Sequence, residues 1–386
     1  MASEGDSLRA FAEEKLRALD ASQRRRALVV SERREGARVT RGGRTFTDFS
    51  SNDYCGLAHD PRVIAAALDA TRAHGTSSSA SRLVTGDHAV FAALEERLAR
   101  QKHTERALVV GSGYLANTGA IPALVGEGDL VLIDALAHAC LFTGARLSGA
   151  RVVVFDHDDV DHVSDLLRDQ RARHTRCLVV TESVFSMDGD RASLSALSAL
   201  CRADDAWLLV DDAHGIGTLA EPPAPIPAPL VTGTLSKALA SYGGYIAASS
   251  PVVELFTSRV RPLVYSTGIP PSAAAAASAA LTILDEEPAR LVRAHAHAAR
   301  FCRALSLRRP ESAIVPLVVG SEKDALTAQR ALEELGALVV AIRPPTVKEG
   351  TARLRVSFSA AHGDDDVLAL ASHVARALPH VVEKNL

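Results

Sequence analysis

The stretch 177–212, CLVVTESVFSMDGDRASLSALSALCRADDAWLLVDD, decides the fold. It opens and closes on near-continuous apolar runs, CLVVTE and WLLVDD, each ending on a carboxylate, with a helical stretch between them. Such runs are buried on both faces, as strands of a parallel sheet are, and the stretch between them supplies the crossover that parallel strands need. The alternation continues outward on both sides. ALVVG at 107–111, LVLID at 130–134 and RVVVFD at 151–156 precede it, and LVTGT at 230–234 comes after it. The expectation is an α/β fold with a mostly parallel sheet covered on both faces, running from 46 to about 268.

The flanks read differently. Residues 4–35 form a charged helical arm in which Leu8, Phe11, Leu16 and Leu19 make an apolar stripe, whose partner is the main body or a second subunit. EPPAPIPAP at 221–229 holds too many prolines for a helix or a central strand and reads as a surface connection. Beyond a helix-forming stretch at 271–284, the runs AIVPLVVG, ALVVAI and RLRVSFS give a second, smaller α/β unit. The expected division is an arm over 1–45, a large domain over 46–274 and a small C-terminal domain over 275–386.

Bulk properties narrow the function. A chain of 386 residues that is 47% hydrophobic can bury enough core for two domains. With 43 basic against 46 acidic residues it carries neither a nucleic-acid footprint nor a polybasic membrane patch, so small-molecule chemistry is expected. The five cysteines are odd in number and lack CxxC spacing, which points to buried free thiols and no metal. The charged N-terminus lacks the apolar core of a signal peptide. No run reaches the length of about 18 apolar residues that a membrane helix needs, so a cytoplasmic protein is expected.

Ligands of open α/β sheets sit beyond the carboxyl ends of the strands, which makes the residues after each run the candidates. Gly111-Ser112-Gly113-Tyr114 could present backbone N–H groups at a helix N-terminus to a phosphate. His138 comes after LVLID, and Ser186 lies in the stretch after CLVVTE. Asp211, Asp212 and His214 close WLLVDDAHG, and Thr234 and Lys237 come after LVTG among small residues. Singly, each has an ordinary reading: a loop, a satisfied core histidine, a helix cap or metal ligand, a paired or solvated lysine. Together they are the parts that pyridoxal phosphate requires: a Schiff-base lysine, a carboxylate for the pyridinium nitrogen, donors for the phenolate oxygen, a stacking group and a phosphate cup. A carboxylate at the ring nitrogen keeps it protonated, and so makes the ring a strong electron sink.

Over 49–378 the motifs SSNDYCGL, SRLVTGDH, GSGYLAN, TESVFSMDGD, VDDAHGIG, TLSKAL, YSTGIPP and AIRPPTVKEGTARLRVS resemble those of the α-oxoamine synthases, fold-type I pyridoxal-phosphate-dependent transferases. RPPTV and the GTxRLR beyond it resemble the branch that condenses L-alanine with pimeloyl-CoA, or a pimeloyl carrier protein, in biotin biosynthesis. They are less similar to the branches making aminolevulinate, aminoketobutyrate or ketosphinganine. The resemblance implies that Lys237 carries the cofactor and acts as general base, Asp211 pairs with the pyridine nitrogen, and His214 bonds the phenolate oxygen. It further implies that His138 stacks on the ring and serves as an acid near the thioester. Gly113, Tyr114, Ser186 and Thr234 line the cofactor site, with Thr234 toward the phosphate, and Arg355 holds the amino-acid carboxylate by a bidentate pair. A homodimer with the active site between subunits is implied as well.

The chain departs from the family pattern in three places. GTSSSASR at 75–82 replaces a glycine-rich run, AHAC replaces SHAS around His138, and DYCGL replaces DYLGL. None of Arg24, Arg25 and Arg26 is a secure counterpart of the family's substrate-binding arginine in the N-terminal arm. Rival readings are a related synthase taking glycine or another acyl-CoA, an aminotransferase or lyase on the same fold, and a scaffold without activity. The last would require a missing lysine or aspartate, and Lys237 and Asp211 are both present.

Overall fold

The computed structural model describes residues 4–385; residues 1–3 of the expected arm and residue 386 lie outside the described residues. The chain begins with helix α1 (Glu4–Ala21), on which Leu8 and Phe11 stand 73% and 57% exposed. The helical arm expected over 4–35 thus stops at Ala21, and Gln23 just beyond it is left-handed, at φ 54°. From there the chain runs extended and then folds into the antiparallel strands β1 (Arg33–Glu35), β2 (Arg38–Arg41) and β3 (Arg44–Asp48). Gly42 and Gly43, both at positive φ, make the tight turn between β2 and β3. The strands are short and arginine-rich, and Val39 and Phe46 are their only buried apolar residues among the described ones, so no apolar run marks them.

Helices α2 (Pro61–His74) and α3 (Ala89–Lys102) lead into a seven-stranded sheet. Its strands are β4 (Arg106–Val110), β5 (Leu130–Asp134), β6 (Arg151–Phe155), β7 (Cys177–Glu182), β8 (Trp207–Asp211), β9 (Leu230–Thr234) and β10 (Gly244–Ala248). Their order is β4-β10-β9-β8-β7-β5-β6, with parallel pairing from β9 through to β6. Every strand but β10 lies where the sequence pattern puts it. Strand β10, GYIAA, lacks a β-branched run; it enters antiparallel to both β9 and β4.

Helices α4 (Gly113–Leu124), α5 (Ala139–Ser148) and α8 (Ser250–Arg259) share a core with Val131, Leu178 and Leu209 on one face of the sheet. On the other face α6 (Val160–Gln170) and α7 (Leu194–Ala203) pack with Val179, Leu208 and Val210. There α2 and α3 join α10 (Pro271–Glu286) over Val109, Val231 and Tyr245, after the single-turn α9 (Arg261–Val264). Side chains alternate along a strand, so Leu209 and Asp211 face the α4 side, and Val210 and Asp212 the α3 side. That alternation sets the chemistry of the site.

The C-terminal part holds α11 (Arg290–Ala304), β11 (Ile314–Gly320), α12 (Glu322–Glu334), β12 (Ala337–Leu338), β13 (Ala341–Ile342), β14 (Ala352–Ser357), α13 (Asp364–Ala377) and α14 (Pro379–Lys384). The expected single strand at 337–342 is two: β12 extends the N-terminal strands by pairing parallel with β3, and β13 joins the antiparallel sheet β11-β14-β13. The expected domain boundary at 275 falls inside α10, whose Ala277, Ala280 and Leu284 belong to the core shared with α2 and α3. A separate core joins Phe49, Tyr54 and Val184 to residues from Ala294 onward, among them Leu317, Leu354 and Val374. We propose that the smaller unit starts at α11 and includes the strands over 33–48.

The five cysteines are free and buried, as expected, and burial pushes their thiols up to about 12. Among the described residues no helix is long and apolar enough to cross a membrane.

Candidate active site

A cavity of about 370 Å³ opens where the carboxyl ends of the central strands meet β14. His138, Ser186, His214, Lys237 and Arg355 line it, with Met187, Val340 and Ile342 as apolar wall. Lys237 stands on the turn after β9 with Nζ 2.7 Å from His214 Nε2. His214 Nδ1 lies 2.8 Å from the Tyr54 hydroxyl, which also receives Arg355 Nη2 at 3.1 Å. Burial, reinforced by the charges of Lys237 and Arg355, holds the His214 imidazole well below its usual pKa and keeps it neutral. Its hydrogen bonds accord with that: Nε2 accepts from Lys237, Nδ1–H donates to Tyr54, and Tyr54 donates onward to Asn52 Oδ1 at 3.0 Å. Burial also lowers Lys237 to about 8, with Asp211 and Glu182 opposing the shift.

The acidic pair separates cleanly. Asp211 Oδ2 receives Asn117 Nδ2 at 2.6 Å and Oδ1 receives the Ala213 N–H at 2.9 Å, on the α4 side of the sheet. Asn117 is oriented in turn by Thr232, which donates to its Oδ1 at 2.6 Å. Asp212 points to the opposite face and pairs with Lys102 at 2.5 Å. Of the two, only Asp211 is free to meet a ring nitrogen. Burial pushes its carboxyl above the usual range, countered mainly by Lys237 and then by the Asn117 amide. A buried carboxylate in that position fits a pyridinium N–H, whose charge would offset the cost of burial.

His138 caps the N-terminus of α5, its Nδ1 accepting the Cys140 N–H at 3.2 Å and lying 2.9 Å from the Cys140 thiol. The cysteine of AHAC therefore still contacts the histidine two residues before it. Burial keeps the ring below its usual pKa, and with Nδ1 accepting, the proton of the neutral ring sits on Nε2. The backbone N–H of His138 donates to Glu182 Oε1 at 2.6 Å, and burial raises that carboxyl well above its ordinary range.

Gly113 opens α4, with Ser112 Oγ capping the Leu115 N–H at 3.1 Å, so Gly113 and Tyr114 lie in the first turn, where N–H groups point out of a helix. A side chain on Gly113 would meet Thr234 Cβ at 3.1 Å, so these residues adjoin. Thr234 itself donates to the Gly243 carbonyl at 3.0 Å. Gly113, Tyr114 and Thr234 adjoin one another, but none of them is part of the wall around Lys237.

Arg355 is held tightly. Nε donates to the Ser186 carbonyl, Nη1 to Ser357 at 2.7 Å and Asn52 at 3.2 Å, and Nη2 to Tyr54. A bidentate carboxylate pair, as expected from the sequence, therefore needs one of these partners to yield. Arg353, on the same face of β14, pairs with Asp188 of the loop that carries Ser186. The serine-rich loop at 75–82 takes the left-handed conformation at Ser79, φ 60°, and Ser78 and Ser81 tie it to the Ile269 and Val264 carbonyls. Of the unassigned arginines, Arg24 pairs with Glu322 and Glu349, Arg25 with Asp20, and Arg26 donates to Thr346.

Asn52, Tyr54, Asn117 and Glu182 escaped sequence reasoning as site residues. All four lie in quoted motifs, SSNDYCGL, GSGYLAN and TESVFSMDGD, but only the fold shows which hydroxyl or amide reaches which partner.

Residues 44–374 match the family model of class I and II aminotransferases. The chain is 58% identical to an 8-amino-7-oxononanoate synthase of Methylobacterium radiotolerans, over 96% of this chain and 98% of the relative. It is 57% identical to that of Methylorubrum populi, over 97% and 96%. Among solved structures, serine palmitoyltransferase of S. paucimobilis, carrying a bound pyridoxal phosphate–myriocin adduct, superposes with TM-score 0.89 at 26% identity, covering 98% of this chain and 99% of that one. An 8-amino-7-oxononanoate synthase of Francisella tularensis, at 21% identity, TM-score 0.71 and coverage of 88% and 97%, shares the fold. A match of this closeness over nearly the whole chain means that it belongs to the 8-amino-7-oxononanoate synthases, pyridoxal-phosphate-dependent enzymes of fold type I within the class I and II aminotransferase family.

Proposed function

We propose that this chain condenses L-alanine with the pimeloyl group of pimeloyl-CoA or a pimeloyl carrier protein, releasing CO2 and the thiol and forming 8-amino-7-oxononanoate. The observation that carries the reading is the hydrogen-bonded run Lys237–His214–Tyr54–Arg355, which brings an amine of lowered pKa and a guanidinium into one cavity and so supports their use as base and carboxylate anchor. Pyridoxal phosphate, when bound, supplies the electron sink that stabilises negative charge on the amino-acid Cα.

The chain's own residues do the rest. Lys237 would hold the cofactor, and its amine would take the Cα proton of the amino acid; a pKa of about 8 suits a base working near neutral pH. Arg355 fixes the carboxylate that later leaves as CO2. His138, with its proton on Nε2, donates toward the thioester oxygen as the new carbon–carbon bond forms and the thiol departs. Asp211 holds the pyridinium proton by charge, and neutral His214 donates nothing to Lys237, so the amine is oriented without being protonated by its neighbour. Gly113, Tyr114, Ser186 and Thr234 hold the cofactor's phosphate end and flank. The exposed apolar residues of α1 are proposed to lie against a second copy, giving a homodimer.

Offered alanine and glycine against a ladder of acyl-CoAs, the enzyme should give a dominant product with the mass of 8-amino-7-oxononanoate; a glycine-derived ketone as the main product would move the chain to another branch. Arg355→Lys should raise the KM for alanine far more than that for the thioester, by roughly 1.5–3 kcal/mol for a lost charge-assisted bond. Equal effects on both substrates would take Arg355 out of this role. Sedimentation of the cofactor-loaded enzyme should show twice the mass of one chain, and a fully active single chain would rule out the shared site.

A further inference from the structure

The turn that carries the cofactor's acid and its phenolate partner, Asp211 to His214, is anchored from behind by groups the reaction does not touch. Asp212 is 5% exposed and faces the α3 side of the sheet. Its Oδ2 lies 2.5 Å from Lys102 Nζ, and its Oδ1 receives Ser183 Oγ at 2.5 Å. Lys102 is the last residue of α3, 4% exposed, with the Tyr245 ring centroid 6.0 Å from its Nζ. Gly215 completes the anchor, because a side chain there would stand 1.9 Å from Asp212 Oδ1. Three elements, the end of α3, the end of β7 and the turn after β8, therefore meet at one buried carboxylate.

Two adjacent buried aspartates at a strand end would ordinarily compete for the same cation. Here the pleat sends them to opposite faces, and Lys102 occupies the second one. We infer that Lys102 is a positioning residue for the cofactor site: by pairing with Asp212 it fixes the turn that aims Asp211 and His214, and leaves Asp211 as the single carboxylate presented to the cofactor. Without the lysine, Asp212 holds a buried charge with only a serine to satisfy it, and must turn or take up a proton. Either response moves a turn whose two functional side chains lie one and two residues away. Arg355 stands on β14, a separate element, and keeps its bonds to Ser186 and Ser357 whatever becomes of its contact with Tyr54, so its hold on the amino acid should change little.

The inference rests on the cofactor reading, and its test keeps the two apart, since the unchanged enzyme is assayed in parallel. Failure of the parent to condense alanine refutes that reading, whereas a normal parent with a normal variant refutes only the role of Lys102. In Lys102→Met, stripped of cofactor and titrated with pyridoxal phosphate, the dissociation constant should rise roughly tenfold or more, and kcat should fall by a similar factor, while the KM for alanine stays within about twofold. The double variant Lys102→Met, Asp212→Asn, which buries no charge, should recover both quantities to within about threefold of the parent, a coupling expected of residues in direct contact. Unchanged cofactor affinity and kcat in Lys102→Met, parallel changes in KM and kcat, or no recovery in the double variant would each overturn the inference. If Lys102→Met does not fold, the double variant decides alone. A kcat within about threefold of the parent supports it, and a loss of roughly tenfold or more overturns it.

Discussion

Three hydrogen bonds in series, of 2.7, 2.8 and 3.1 Å, join Lys237 to Arg355 through His214 and Tyr54. The lysine stands on the turn after β9 and the arginine on β14, so this run spans the meeting of the central sheet and the C-terminal sheet. Its polarity is set by one fact, the neutrality of His214. A protonated imidazole could not accept from Lys237, and would add a third positive charge between the lysine and the arginine. Burial keeps it neutral, and every donor and acceptor along the line then has one consistent role.

Around that line the sheet sorts charge by face. Asp211 on the α4 side is held by Asn117, and Asp212 on the α3 side by Lys102, though the two are neighbours in sequence. The loop after β7 closes the cavity from another direction: Ser186 accepts from Arg355 through its carbonyl, and Asp188 two residues on pairs with Arg353. Gly189 permits the loop's close approach, since at φ 74° a side chain there would lie 2.2 Å from the Ile314 carbonyl. Asp211, Lys237 and Arg355 are thus fixed by contacts between elements far apart in the chain, which suits the cofactor acid, base and carboxylate anchor proposed for them.

Much of this is legible in the sequence because strand-end position carries chemical meaning in an α/β fold. The runs WLLVDD and LVTGT locate Asp211 and Thr234 at strand ends, and the family-like motifs supply roles for Lys237, His138 and Arg355. Two kinds of feature escape. Strand β10, with two alanines and a glycine in five residues, and the strands over 33–48, rich in arginine, carry no apolar signature; their pairing partners, not their composition, make them strands. The other omissions are tertiary. Tyr54 bonds a residue 301 positions away, and Lys102 one 110 positions away, separations at which periodicity says nothing. The arm fails as a helix beyond Ala21 for a local reason, the left-handed residue Gln23 and the extended chain after it.

Lys237 as the residue that carries the cofactor is the assignment on which every other role depends. Loading the protein with pyridoxal phosphate, reducing it with borohydride and mapping the peptides by mass spectrometry tests that directly. A single pyridoxyl label on the peptide containing TLSKAL, lost in Lys237→Ala while cofactor binding through the remaining contacts persists, is the expected result. A label on any other lysine of the unchanged protein, or a Lys237→Ala enzyme that keeps more than roughly a tenth of the parent activity, against the 10²–10⁴-fold usual for loss of a general base, would contradict it.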